Sequence, residues 1–228
     1  MPVKTSKAIR TLLRKELLVE LRTLESVPGM SLFAVSTFVV FHFALNRTTV
    51  EGDLAAGVLW VTLLFAAMLG VNRLFVADAE QGGFDGFLLA PVDRTALLIA
   101  KVCALTGYLV VLEIVAVPAF ALLLGAPLGH GLAGLVAVLV LADLGIAAIG
   151  TLVSALAVHT RARDLFGPLL SLPLLVPIVI GGARASSPLL SAGGHPGAPA
   201  IRWLLLLGLY DLVFGLVAYA VFDFLLED

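Results

Sequence analysis

An all-α, integral membrane bundle of six transmembrane helices is the fold class this 228-residue chain predicts, on three observations. Hydrophobic residues make up 61% of the sequence and charged ones 13%, with a mean hydropathy of +1.10. So apolar a chain lacks the polar groups to cover a water-facing surface, so its solvent is lipid. Apolar windows follow at 30–45, 54–76, 97–124, 132–158, 165–182 and 202–224, most of them near the roughly 20 residues that fill a hydrocarbon core. Lysine and arginine, finally, divide unevenly between the two sides that six spans define. Lys4, Lys7, Arg10, Arg14, Lys15, Arg22, Arg73, Arg94, Lys101, Arg161 and Arg163 fall on the side of both termini, against Arg47, Arg184 and Arg202 on the other. That excess marks the termini as cytoplasmic.

Residues 1–28 have no apolar centre of the kind a signal peptide needs. Ile9, Leu13, Leu17, Leu21 and Leu24 recur at helical spacing, with Arg10, Arg14, Lys15 and Arg22 on the remaining face. The pattern predicts a basic amphipathic helix in the cytoplasmic interface, ending where Pro28-Gly29 turns the chain into the membrane. A solvated tail is the alternative. Trp60 and Trp203 fall near the outer ends of spans two and six, where an interfacial belt would place them. The single Cys103 excludes an internal disulfide and any Cys-x-x-Cys motif, and reads as a small apolar filler.

The longest polar interruption between apolar runs lies at 78–101, with a cytoplasmic loop over 77–95. It carries a short amphipathic core, Phe84 to Leu89, with glycines before it and Pro91 after it. A structured loop on that side is suited to a soluble partner; the alternative is an interfacial helix tucked against the bilayer. Span five holds Pro168, Pro173 and Pro177, each removing a backbone donor. Lipid satisfies none of the freed carbonyls, so this kinked span is expected inside the bundle or against a partner. The stretch 183–201, rich in Gly, Ser, Pro and Ala, reads as a flexible external loop.

Glu113, Asp143 and Asp211 sit near the middles of spans three, four and six. An ionised group at that depth costs about 2.5–3.5 kcal/mol on insertion scales, so these acids need an explanation. One is a polar interior that contacts substrate, holds a proton or joins helices by hydrogen bonds. The other is a protonated carboxyl bonded to a neighbouring Tyr, Thr or Ser, with Tyr108 and Tyr210 as candidates. His42, His130 and His195 lie on the outer side, where an imidazole could ligate haem, although the linear order pairs none of them across a pocket. His159 lies at the cytoplasmic end of span four. No Gly-x-x-x-x-Gly-Lys-[Ser/Thr], His-Glu-x-x-His, Gly-x-Ser-x-Gly or zinc-type spacing occurs, which leaves no sequence sign of an enzyme and no P-loop of its own.

Several blocks carry a resemblance. They are Leu12-Leu13-Arg14-Lys15-Glu16-Leu17, Gly57-Val58-Leu59-Trp60-Val61-Thr62-Leu63-Leu64, and Asn72-Arg73-Leu74-Phe75 with Asp78. Glu80-Gln81-Gly82, Leu88-Leu89-Ala90-Pro91 and Lys101 follow, then Leu172-Pro173-Leu174-Leu175-Val176-Pro177 with Gly181. Together they resemble, along the whole chain, the haem exporter protein B family (CcmB), the permease subunit of the cytochrome c maturation ABC transporter. The loop block alone is similar to ABC exporter permeases at large. Val76 and Ala77 depart from the charged residues the family often has there, and Gly83 and Gly86 make a pliable loop helix.

The resemblance implies one permease domain over 1–228, a noncatalytic subunit, homodimeric, in the bacterial inner membrane. ATP would be used by a separate cytoplasmic ATPase (CcmA-like), beside membrane haem-handling subunits (CcmC-like and CcmD-like) and a periplasmic haem chaperone (CcmE-like). No cofactor is expected to be bound directly and no nucleic acid is involved; haem is the possible substrate. Asp78, Glu80, Gly82, Phe84, Asp85, Phe87, Leu88 and Pro91 would form the coupling helix that docks on the ATPase. Phe84, Phe87 and Leu88 would be its apolar anchors, with Glu80 and Asp85 orienting it. Permeases of drug, lipid or polysaccharide exporters remain open at this point, as does a membrane assembly factor that acts without ATP.

Overall fold

In a computed structural model of the chain, the structure describes residues 5–74, 94–129, 131–158, 163–191, 193 and 198–225. Among them are seven helices: α1 (Thr5–Thr23), α2 (Ser26–Leu45), α3 (Gly52–Arg73), α4 (Arg94–Leu124), α5 (Leu132–Val158), α6 (Arg163–Ser186) and α7 (Ala198–Leu225). Six of them, α2 to α7, are long and apolar enough to cross a membrane. The chain is a multi-pass, all-helical membrane protein.

The helix ends have local causes. Leu24 takes a left-handed conformation (φ 49°) and stops α1, so α2 begins at Ser26 rather than after Pro28-Gly29. Pro28 then sits in the first turn of α2, where its missing N–H costs no intrahelical bond. The Glu20 carboxylate accepts the N–H groups of Ser26 (3.0 Å) and Val27 (2.8 Å), satisfying two orphan donors of α2 from the preceding helix. At the far end of α4, Gly125 (φ +61°) makes the turn, where a side chain would strike the Thr48 carbonyl.

α3 is the central helix, packed against α2 and α6 and touching α4 and α5. α5 lies against α4, α6 and α7, while α2 and α7 are the least buried spans. Glycines permit the close approaches. Gly150 of α5 faces Val71 and Leu105, and Gly70 of α3 faces the Met30 thioether. The proline-bearing α6 is one helix from Arg163 to Ser186, wedged among α3, α5 and α7, as a span with broken hydrogen bonds requires. Between Pro173 and Pro177, the Tyr210 hydroxyl of α7 donates to the Leu174 carbonyl at 2.7 Å.

The bundle-facing line of α1 is Ala8, Leu12, Glu16 and Glu20, while Leu17, Leu21 and Leu24 point away from the protein. Two expectations change. Trp60 is no belt residue: it is 1% exposed and belongs to the core. Cys103 lies on the outward face of α4 and fills no gap.

Candidate functional site

The middle of the bundle brings two of the three intramembrane acids together. Glu113 projects from α4 and Asp143 from α5, and both line one small cavity together with Trp60 of α3. Their carboxyls therefore share one water-sized space. Asp143 is 3% exposed, and its Oδ2 has no partner among the described residues. The rest of the lining, Leu63, Ala67, Leu112 and Ile146 among it, is apolar. The cavity measures about 10 Å³, room for a single water. Asp211 stands apart from this pair. Its Oδ1 abuts Gly145 of α5 so closely that no side chain fits there, and neither of its oxygens has a hydrogen-bond partner among the described residues.

The hydroxyl partners expected for these acids are engaged elsewhere. Tyr108 donates to the Glu16 carbonyl at 3.3 Å and Tyr210 to that of Leu174. The pairing is carboxyl to carboxyl. Spacing along one helix says nothing about which residue of another helix lies opposite, so this contact was beyond sequence reasoning.

A second cluster lies where α1, α3 and α4 meet. Lys101, 1% exposed, donates from Nζ to Glu16 Oε2 of α1 (3.0 Å) and to the Leu74 carbonyl at the end of α3 (2.8 Å). One ammonium thus joins the last described residue before 75–93, the first turns of the helix that follows it, and α1. Nearby, the exposed Arg73 and Glu25 pair at 2.8 Å. Sequence reasoning counted Lys101 as a charge on the cytoplasmic side and gave Glu16 no role beyond its place in the 12–17 block. The available signal was a lysine inside an apolar helical run, which has to find an acid when buried.

On the opposite side, the Trp60 indole lies against Gly182 of α6, which leaves room for the ring but none for a Cβ. Its N–H donates to Ser186 Oγ at 3.0 Å, one turn further along. His42 is exposed at that end of α2, its Nδ1 bonded to the Leu123 carbonyl. A ring that donates from Nδ1 keeps its Nε2 lone pair for a ligand. His130, His159 and His195 lie outside the described residues, as do Asp78, Glu80, Gly82, Phe84, Asp85, Phe87, Leu88 and Pro91. Among the described residues no group of three or more His, Cys, Asp or Glu could hold a metal ion.

Six apolar helices, three of which enclose a pair of acids, with a seventh tied on by a buried ion pair, define the class: a polytopic helical membrane protein with a built polar interior. The particular family comes from the sequence as a whole. The CcmB protein family matches residues 7–224, and the chain belongs to it. It is similar to Heme exporter protein B of Bradyrhizobium diazoefficiens, 33% identical over 218 residues that cover 93% of this chain and 96% of the relative. The protein of that name from Rhodobacter capsulatus is 31% identical over 195 residues (84% and 86%). The one from Paracoccus denitrificans is 36% identical over 154 residues (66% and 68%).

Proposed function

We propose that this chain is the membrane permease subunit of an ABC-type complex for cytochrome c biogenesis, inserted in the bacterial inner membrane with both termini cytoplasmic. The observation that carries the reading is its near-full-length kinship with proteins called Heme exporter protein B. ATP is hydrolysed by a separate CcmA-like subunit. CcmC-like and CcmD-like subunits and a CcmE-like chaperone handle the haem, and a homodimer of this chain sits within the complex. The segment from Asp78 to Pro91 docks on the ATPase, with Phe84, Phe87 and Leu88 as anchors and Glu80 and Asp85 orienting them.

Lys101 supports this assignment of force. Any pull on 75–93 reaches Leu74 and α4, and the same ammonium passes it to α1 through Glu16. A switch of this kind needs two states that the nucleotide partner biases. Of the two outputs open to such a subunit, release of the haem-loaded chaperone is favoured over conduction of haem. The space around the paired acids is about 10 Å³, which admits a water and excludes a macrocycle. His42, with Nε2 left for a ligand, is then a surface contact for haem held by a neighbouring subunit.

The test replaces Phe84 and Phe87 with glutamate in the full complex. The expected result is loss of ATPase co-purification and of cytochrome c maturation, with the protein still inserted in the membrane. Unchanged co-purification and maturation would defeat the docking assignment.

A further inference from the structure

We infer that Glu113 and Asp143 form a proton-binding site in the membrane interior, sharing one proton between two carboxyls and joining α4 to α5. The inference rests on the bundle alone and holds whatever the chain's partners are. Two carboxyls that line one space of about 10 Å³ meet favourably only when at least one of them carries a proton to donate, since an ionised carboxylate is acceptor-only. Among the described residues no cation lies at hand to offset the pair. The remaining lining of the cavity is apolar, and the Trp60 N–H is spent on Ser186. α5 bears no other charged residue from Leu132 to Val158. The nearest cation of α4, Lys101, is twelve residues away, about 18 Å along the axis, and already holds Glu16. On α7, Asp211 lies against Gly145 and Tyr210 against Leu174, so neither reaches the pair.

The unpartnered Asp143 Oδ2 is the second observation. It belongs to a side chain 3% exposed that lines a space the size of one water. A lone pair left open beside such a space suits one hydrogen-bonded water, through which the proton would enter and leave. A metal cation is a poor fit, because two carboxyls supply at most four oxygens where hard cations take about six. Sharing a proton leaves one net charge instead of two in the low-dielectric interior, and it makes the α4–α5 contact attractive. Without the proton, two like charges face each other and the helices are driven apart.

The experiment uses the full chain reconstituted in lipid, with infrared spectroscopy of the protonated-carboxyl stretch in H2O and D2O. Wild-type protein is expected to show a band that shifts on deuteration. Glu113→Gln and Asp143→Asn should each remove it, while Asp211→Asn should leave it. Thermal unfolding gives an independent reading. With a shared proton, Asp143→Asn keeps a donor for Glu113 and leaves the midpoint close to wild type. Asp143→Leu strands the Glu113 carboxyl and lowers it. If the band survives both pair variants, or if Asp143→Asn raises the midpoint by relieving two facing charges, the shared-proton site is wrong.

Discussion

Lys101 shows how one side chain acquires a role its neighbours in sequence do not suggest. A four-carbon stem that is 1% exposed places its ammonium against a carboxylate and a helix-end carbonyl, so both partners lose their water together. Removing one member leaves the other charge buried. Lys101→Met is therefore expected to destabilise the protein by about 3 kcal/mol, the low end for a broken buried pair because Glu16 keeps Lys15 at 3.6 Å. Adding Glu16→Leu should restore most of that loss. Unfolding of the two single variants and the double variant in detergent checks the coupling, and additive losses would show that the pair is not a unit. Glu20 makes the same point without a cation. Its carboxylate caps α2 from α1, a role no reading of residues 1–28 as a basic amphipathic stripe could supply.

Elements pack here by slots as much as by ridges. Lipid tails match leucine in polarity, so spans associate through close van der Waals contact and buried hydrogen bonds. The α3–α6 contact uses both: Gly182 opens the slot, Trp60 fills it, and Ser186 takes the indole proton. Gly182→Ala would drive a methyl into the ring and is expected to cost about 1–3 kcal/mol, the range for an overpacked interior. Trp60→Phe in the same chain should recover part of that loss by vacating space, although it forfeits the Ser186 bond. Thermal melts of the two singles and the double read the sign, and a Gly182→Ala melt equal to wild type would remove the slot argument. The composition of α6 made its position legible. Three prolines within ten residues exclude a lipid-bathed helix, and α6 is the span wedged among three others. Trp60 was misjudged because an indole near an apolar run's outer end has two homes, headgroup or neighbouring helix. Only the presence of a glycine opposite decides between them.

On the scale of the whole molecule, the distribution of lysine and arginine is an argument about orientation, and a direct prediction follows. A fluorescent-protein fusion at the C terminus should be bright, and alkaline phosphatase inserted near residue 193 should be active. The reverse pattern would overturn the assignment of both termini to the cytoplasm. What the sequence by itself determined is the class and the number of spans, because hydropathy is a sum over some twenty residues and survives ignorance of every contact. All six windows begin and end within four residues of the helices seen, the fifth, given as 165–182, running on to Ser186. The blocks at 12–17, 57–64, 72–91 and 172–177, taken together, also pointed to the family. Tertiary structure alone decided that Glu113 meets Asp143 while Asp211 stays apart, that Lys101 holds Glu16, and that the leucines of α1 face away from the bundle. The physical reason is common to all three. Periodicity assigns a residue to a face of its own helix, but the rotation and height of one helix against another are set by glycine slots and buried polar pairs, whose two halves lie up to 126 positions apart.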